Sequence, residues 1–188
     1  MGRITLVTGG ARSGKSRFAE TLATQRHRVC YVATAEALDE EMAERIAKHR
    51  ARRPTHWTML EAPLDLTSAL AGIQQADTVL VDCLSLWTSN RLLALGEDAA
   101  PDWWQAVATL EETLTAEARA LCALARQADW DLIMVTNETG FGVVPASRLA
   151  RAFRDLLGWL GQVVAADADT VYLVVAGLAV ELKALAAR

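Results

Sequence analysis

The chain alternates between short apolar runs and longer stretches in which apolar residues recur at helical spacing. The short runs are rich in Val, Ile and Thr, as buried strands are. They cover Ile4–Thr8, Val29–Thr34, Thr78–Asp82, Leu132–Thr136 and Thr170–Val175. The helical stretches between them are Lys15–Arg26, Asp39–Arg52, Asp102–Gln127 and Ser147–Ala166. This order predicts a three-layer α/β fold with a mostly parallel central sheet that helices cover on both faces.

The residues that directly follow the predicted strands are the first place to look for a site. In parallel α/β sheets, ligands bind beyond the carboxyl ends of the strands. Four segments have that position: Gly9–Ser16, Thr34–Glu36, Asp82–Leu84 and Asn137–Gly142. We therefore expect functional residues in these segments.

Length and charge restrict the class of function. The 188 residues fit one domain with a sizeable core, so we predict a single domain over residues 1–188. The near balance of 19 Lys and Arg against 23 Asp and Glu indicates neither a nucleic-acid footprint nor attraction to anionic lipid, and favours small soluble partners. The linker-like segment Leu95–Asp102 is interpreted as a surface loop and not as a domain boundary.

The N-terminus, the longest apolar runs and the cysteines bear on location. No apolar run approaches about 18 residues, so no transmembrane helix is predicted. The first residues lack the long apolar stretch of a signal peptide, which predicts a cytoplasmic protein. Cys30, Cys83 and Cys122 are odd in number, far apart and in no CxxC pair, so we predict reduced, mostly buried thiols and no disulfide or zinc site.

The segment GGARSGKS matches the pattern G-x-x-x-x-G-K-[ST] and lies between a predicted strand and a predicted helix, where a phosphate-binding loop must lie. Its glycines allow turns in which successive N–H groups point at phosphate oxygens. The lysine is expected to bind the β and γ phosphates, and the last serine to bind Mg²⁺. The predicted nucleotide-binding loop comprises Gly9, Gly10, Ala11, Arg12, Ser13, Gly14, Lys15 and Ser16. It makes the predicted fold P-loop NTPase-like.

A second acidic element is expected at a strand end, where it can meet the Mg²⁺ held by Ser16. The run TVLVDC offers Asp82 for this role. An aspartate at a strand end is often structural, but its pairing with the glycine loop favours metal binding. Thr34 and Glu61 complete the predicted nucleotide site. These residues predict a Mg-nucleotide site and leave a kinase, an ATPase and a nucleotide-gated binding module open.

A candidate nucleophile lies on the helix that follows the second strand. At about 100° per residue, His49 falls on the apolar side of that helix. A neutral imidazole can attack phosphorus, and the neighbouring Arg45, Arg52 and Arg53 would disfavour imidazolium and stabilise charge on phosphoryl oxygens. From the chemistry alone, a packed or intersubunit histidine is the commoner case.

Five segments carry a family resemblance along nearly the whole chain. They are ITLVTGGARSGKS, ATAEALDEEMAERIAKHRARRPTHW, LVDCLSLWTSN, VTNETGFGVVPASRLARAFRD and VYLVVAGLAVELK. The glycine loop is generic, whereas D-E-E-M-x-x-R-I-x-x-H and N-E-x-G-x-G-x-V-P are specific in combination. Together the segments resemble the adenosylcobinamide kinase / adenosylcobinamide-phosphate guanylyltransferase family of cobalamin biosynthesis.

This resemblance implies a bifunctional enzyme. It would phosphorylate the aminopropanol hydroxyl of adenosylcobinamide with ATP or GTP, and then transfer GMP from GTP to that phosphate, giving adenosylcobinamide-GDP and pyrophosphate. The second reaction of the family passes through a guanylylated histidine, and His49 matches its position. Lys48 stands where some relatives have a second histidine, and some have Glu in place of Asp82, which keeps a carboxylate. The family also implies a homotrimer, in which the His49 helix would reach a neighbour's nucleotide.

The residues after the fourth strand have several candidate roles. Glu138 is expected to accept the proton of the attacking hydroxyl, or to bind a guanine edge or metal, and Asn137 has a direct or a structural role. Arg148, Arg151 and Arg154 recur every three residues on a helix. They are candidates for triphosphate binding, for a subunit contact or for a solvated basic face.

Three tryptophans have more than one possible role. We interpret Trp87, Trp103 and Trp104 as core or interface residues in preference to a corrinoid platform.

Two alternative functions stay open. A plain P-loop kinase with a structural His49 would phosphorylate an acceptor but form no GMP adduct. A nucleotide-binding regulatory module would show neither adduct nor transfer.

Overall fold

A computed structural model describes residues 1–36, 40–51, 53–96 and 100–186, except for the side chains of Glu41 and Arg45. The two ends of the predicted helix Asp39–Arg52 therefore lie outside the described residues, as does part of the predicted loop Leu95–Asp102.

The strands are β1 Ile4–Thr8, β2 Val29–Ala33, β3 Thr58–Glu61, β4 Thr78–Asp82, β5 Asp131–Val135, β6 Thr170–Val175 and β7 Leu178–Glu181. The helices are α1 Lys15–Ala23, α2 Glu40–Ala51, α3 Leu66–Ala71, α4 Leu84–Leu93, α5 Trp103–Gln127, α6 Arg148–Asp167 and α7 Leu182–Leu185. Over the described residues the seven strands form one sheet in the order β3-β2-β4-β5-β1-β6-β7. Neighbouring strands are parallel except for the antiparallel pair β6 and β7.

Alternation along the strands divides the core between the two faces of the sheet. On β1, Ile4 and Leu6 pack into the larger apolar cluster with α3 to α6, whereas Val7 packs into the smaller cluster with α1. On β2, Val32 faces the larger cluster and Tyr31 the smaller one. Successive strand side chains point to opposite faces of the sheet, and on each face they pack against helices. The predicted three-layer α/β fold with a mostly parallel sheet is confirmed.

The five predicted strands are present, although β2 ends one residue early and β5 begins and ends one residue early. The predicted helix Lys15–Arg26 stops at Ala23, because the N–H groups of Gln25 and Arg26 bond three residues back, which tightens the chain into a turn. The remaining elements, β3, β7, α3, α4 and α7, were not predicted. The strands among them lie at the two edges of the sheet, where exposed residues weaken the apolar signal.

Two further predictions concern the cysteines and membrane-spanning helices. The three cysteines are buried and not disulfide-bonded, which confirms the predicted buried thiols. None of the helices in the described ranges is long and apolar enough to cross a membrane.

Candidate active site

The glycine loop connects β1 to α1 with a backbone that requires glycine at Gly14. This residue caps α1 with φ 97°, a left-handed conformation that residues with a Cβ rarely adopt. Helix α1 begins at Lys15, so the N-terminal N–H groups of the helix face the loop. This is the geometry that binds phosphate at a helix N-terminus.

The loop is held from behind by the β6–β7 turn. The Gly177 N–H donates to the Ser13 carbonyl oxygen over 2.8 Å. A Cβ on Gly9 would lie 2.4 Å from the Val174 carbonyl oxygen, and one on Gly14 would lie 3.2 Å from Gly177 Cα. The close approach of two backbones fixes the loop against the end of the sheet.

A cavity of about 590 Å³ opens in front of this loop at the carboxyl ends of β2, β4 and β5. Predicted site residues from five separate parts of the chain line it: Lys15, Ser16, His49, Glu61, Asp82 and Asn137. The order of the parallel strands brings these residues together, as the strand-end rule predicts.

Lys15, Ser16 and Asp82 form the floor of the cavity beside the loop. Lys15 Nζ donates to the Gly10 carbonyl oxygen over 3.2 Å. Ser16 Oγ donates to Asp82 Oδ1 over 3.3 Å. Mg²⁺ prefers oxygen ligands and binds through one or two protein groups together with phosphate oxygens and water. The hydroxyl and carboxylate oxygens at this point have the donor chemistry that a magnesium ion needs.

A buried polar network supports Asp82. Tyr31 Oη donates to Asp82 Oδ2 over 2.7 Å, and the Arg53 guanidinium donates in turn to Tyr31 Oη. Burial, together with the charge of Asp82, raises the pKa of Tyr31, so the phenol remains protonated and able to donate. Arg53 also lies 3.7 Å from Glu20 Oε1 through Nε. The carboxylate of Asp82 is therefore held from two sides.

His49 lies on the last turn of α2, on the face that lines the cavity. Met42 and Ile46 line it from the same face, which confirms the predicted side of the helix. Arg50 and Arg53 line the cavity as well. The structure places His49 and Lys15 in the cavity of one chain, so this arrangement does not require a neighbouring subunit to supply the histidine. Two of the predicted neighbours of His49 lie outside the described part of the structure. They are Arg52 and the side chain of Arg45.

Comparison with known proteins decides the family. A sequence model of the family described as cobinamide kinase / cobinamide phosphate guanyltransferase matches residues 5–182. The chain belongs to this family. The resemblance found in the sequence is thereby confirmed.

Curated relatives cover the same length as this member of the cobinamide kinase / guanyltransferase family. The chain is 45% identical over 179 residues to the bifunctional adenosylcobalamin biosynthesis protein CobU of Escherichia coli strain K12, covering 95% of this chain and 98% of that protein. It is 43% identical over 179 residues to the protein of the same name from Salmonella typhimurium, with the same coverage. It is 45% identical over 180 residues to the bifunctional protein CobP of Pseudomonas aeruginosa, covering 95% and 96%. The crystal structure of the RadB recombinase aligns with a TM-score of 0.48 at 14% identity, over 91% of this chain and 73% of that one.

Residues 9–14 of the predicted loop do not line the cavity, and neither do Thr34 and Glu138. Thr34 is fully buried, accepts a hydrogen bond from the Cys83 N–H over 2.8 Å and donates to the Cys83 carbonyl oxygen over 2.7 Å. It fixes the backbone that carries Asp82, so the structure gives it no direct access to nucleotide. Glu138 lines an adjacent cavity of about 230 Å³, and its carboxylate accepts from the Gly140 N–H. Asn137 lines both cavities.

Among the described residues that line the 590 Å³ cavity, none is an arginine of α6. These arginines are Arg148, Arg151 and Arg154. The Arg148 guanidinium lies over the Trp103 and Trp104 rings, at 5.3 and 5.5 Å from their centroids. Arg151 donates to two loop carbonyls, and Arg154 lies 3.5 Å from Asp155. Each arginine thus has local contacts, so the triphosphate alternative loses support.

The tryptophans divide between core and surface. Trp87 and Trp103 are fully buried, which confirms the core interpretation for both. The Trp87 Nε1–H donates to the Leu64 carbonyl oxygen over 2.9 Å. Trp104 is half-exposed and packs edge-to-face on Trp103.

Cys83 is another nucleophilic side chain at the cavity wall. Burial, aided by the charge of Asp82, raises the pKa of its thiol to about 11. The thiolate is the reactive form of cysteine, so the raised pKa disfavours reaction of Cys83 at neutral pH.

Sequence reasoning missed two residues that line the cavity. Tyr31 was included only as part of a buried strand, although a tyrosine among small and aliphatic residues signals a hydroxyl that needs a partner. Arg50 was not singled out, although it follows His49 directly.

Proposed function

We propose that the chain is a bifunctional transferase that phosphorylates adenosylcobinamide with ATP or GTP and then transfers GMP from GTP to the phosphate. Family membership over residues 5–182 supports both activities. The observation that carries the proposal is that His49 lines the same cavity as Lys15 and Ser16. A nucleophile and a phosphate-binding loop facing one cavity are what a covalent nucleotidyl transfer requires.

In this proposal the glycine loop and Lys15 bind the triphosphate of the nucleotide. The N-terminal N–H groups of α1 and the lysine charge both favour phosphate oxygens. Ser16 and Asp82 would hold Mg²⁺. When bound, the ion would neutralise charge on the phosphate oxygens during transfer. Glu61 lines the cavity and is assigned to the nucleotide.

In the guanylyl transfer, a neutral His49 nitrogen attacks the α-phosphorus of GTP. A P–N bond forms, the bond from the α-phosphorus to the bridging oxygen breaks, and pyrophosphate leaves. An oxygen of adenosylcobinamide phosphate then attacks the same phosphorus, the P–N bond breaks and the imidazole is regenerated. Arg50 lines the cavity next to His49, where its charge would stabilise the phosphoryl oxygens.

In the kinase reaction, Glu138 is assigned to the acceptor hydroxyl. Its carboxylate lines the cavity next to the one that contains Ser16 and Asp82, so a metal role beside those residues is less favoured. Asn137 lies between the two cavities. A hydroxyl that enters from this side would lose its proton to Glu138 as it attacks the γ-phosphorus.

The test uses purified protein, Mg²⁺ and GTP labelled on the α-phosphate. Label that survives denaturation, and that is acid-labile and base-stable, is expected on the parent protein and absent from His49→Ala. His56→Ala is the matched control, because His56 is exposed and does not line the cavity. Guanylyl transfer by His49→Ala at the parent rate would contradict the covalent role. Absence of label from the parent, with GTP shown to bind, would favour a simple P-loop kinase.

The remaining assignments belong to the same proposal. We propose one domain over residues 1–188, a homotrimer and a cytoplasmic location, on the basis of length and family resemblance. Light scattering of the purified protein tests the oligomer, and a monomeric mass would contradict the trimer.

A further inference from the structure

Asp82 is held by a chain of polar contacts that extends well behind the cavity. Ser16 Oγ contacts its Oδ1 over 3.3 Å, and Tyr31 Oη contacts its Oδ2 over 2.7 Å. Tyr31 reaches the carboxylate from the neighbouring strand, because β2 and β4 pair in parallel with Ala33 opposite Asp82. With Oδ2 occupied by the phenol, Oδ1 is the oxygen presented beside the loop hydroxyl.

Arg53 sets the direction of the phenol hydrogen. A guanidinium only donates, so its hydrogen bond to Tyr31 Oη makes that oxygen the acceptor. The single phenol hydrogen is then left for Asp82. The guanidinium also lies over the Tyr31 ring, 3.4 Å from its centroid, which fixes the ring in place.

Arg53 is itself anchored and buried. Its Nε lies 3.7 Å from Glu20 Oε1 on α1, and the two side chains are only 8% and 16% exposed. Buried ion pairs contribute little net stability compared with apolar residues of similar volume. Stability alone is thus a weak reason for this network, and its position beside the cavity suggests a role in orientation.

The network also reaches the end of the helix that carries His49. The backbone N–H of Arg53 donates to the Arg50 carbonyl oxygen over 3.3 Å, so the main chain at Arg53 is tied to the last turn of α2. Arg53 therefore contacts Tyr31 and Glu20 through its side chain and the end of the His49 helix through its main chain. A shift of either group would be transmitted to the other through Arg53.

We propose that Tyr31 and Arg53 are positioning residues that orient the Asp82 carboxylate for the cation and hold the His49 end of α2 in register with it. The inference rests on the proposed cation and histidine roles. Tyr31 acts through Asp82 alone, whereas Arg53 acts on both Asp82 and the helix end.

The first test measures cation binding without turnover. Mn²⁺ is titrated into the full chain with the β,γ-imido analogue of GTP, and free Mn²⁺ is followed by electron paramagnetic resonance. Tyr31→Phe is expected to weaken Mn²⁺ binding about 10-fold, as loss of a partner behind a metal ligand commonly does. Nucleotide affinity without cation should not change. Tyr172→Phe is the matched control, since Tyr172 packs on Phe18 with ring centroids 5.0 Å apart.

The second test separates the two residues by rescue. Labelling of His49 by GTP in Tyr31→Phe should return to the parent rate at high Mg²⁺, because only cation affinity is lost. Arg53→Lys keeps a charge near Glu20 but loses the planar contact with Tyr31, and its labelling should stay about 10-fold low at saturating Mg²⁺. Arg126→Lys is the control, because Arg126 holds Asp169 at the opposite end of the sheet.

The outcomes distinguish this inference from the proposed function. Unchanged Mn²⁺ affinity in Tyr31→Phe overturns the role of Tyr31 and leaves the proposed function standing. Labelling of Arg53→Lys at the parent rate overturns the link to the helix. If the complex of parent protein and nucleotide analogue binds Mn²⁺ no more tightly than the free analogue does, the proposed cation site and this inference are both overturned. Tyr31→Phe removes a single oxygen atom and disturbs packing little. It therefore tests the role of Tyr31 even if Arg53→Lys fails to fold.

Discussion

Replacing Gly14 by alanine tests whether the glycine loop is fixed by its own backbone and by the β6–β7 turn. The residue has φ 97°, and an added Cβ would lie 3.2 Å from Gly177 Cα. Gly10 provides the control in the same loop, since a Cβ there meets no atom within 4 Å.

The expected cost follows from three contributions. A left-handed conformation costs an alanine about 1–2 kcal/mol, and the close contact with Gly177 adds about 1 kcal/mol. Alanine also reduces the freedom of the unfolded chain, which offsets about 0.5–1 kcal/mol. The free energy of unfolding of Gly14→Ala should fall by about 1–2.5 kcal/mol, or roughly 2–10 °C in Tm for a chain of this size.

The assay is thermal unfolding by circular dichroism without nucleotide, because a bound ligand would raise Tm and obscure the difference. Gly10→Ala should melt at or slightly above the parent temperature. If the two variants melted within about 1 °C of each other, the conformational requirement at Gly14 would be refuted.

Three further predictions concern charge and ionisation. Lys15→Ala should lower both phosphoryl and guanylyl transfer roughly 100-fold or more in steady-state assays, and retention of either activity would contradict a shared phosphate site. Cys83 should resist iodoacetamide at pH 8 in the native protein and react after unfolding in urea, because burial raises its pKa to about 11; rapid native labelling, located by mass spectrometry, would contradict this. The hydrogen bond from Arg126 lowers the pKa of Asp169, so the folded state favours the carboxylate. Stability from this pair is present above the unfolded pKa of 3.8 and is lost as pH falls through the lower folded value. The Tm difference between the parent and Asp169→Asn should therefore shrink as pH falls below 3.8, and a pH-independent difference would show that the ion pair is not its cause.

Local sequence signals predicted much of the fold. The run ITLVT, followed by glycines and a lysine, is buried on both faces of the sheet and leads directly into α1. The period of α2 placed His49 on the apolar face, and that face lines the cavity. These predictions succeeded because burial imposes a period of 2 on strands and of 3.6 on helices.

Edge elements and partners distant in the chain could not be predicted in the same way. Strand β3 has the sequence TMLE, in which three positions are exposed and none is fully buried, so it has no clear apolar period. Thr34 follows a strand as a binding residue would, yet its hydroxyl bonds to Cys83, 49 residues away. Glu138 also follows a strand, but the loop after it turns toward a different cavity.

The α/β class, the glycine loop and the family could be predicted from the sequence, because each depends on short segments of adjacent residues. The support of Asp82 by Tyr31 and Arg53 became visible in the three-dimensional structure alone. That contact requires the parallel pairing of β2 with β4 and the return of the chain after α2 to the sheet. Side-chain partners of this kind are set by the packing of separate elements, and no local period in the sequence records them.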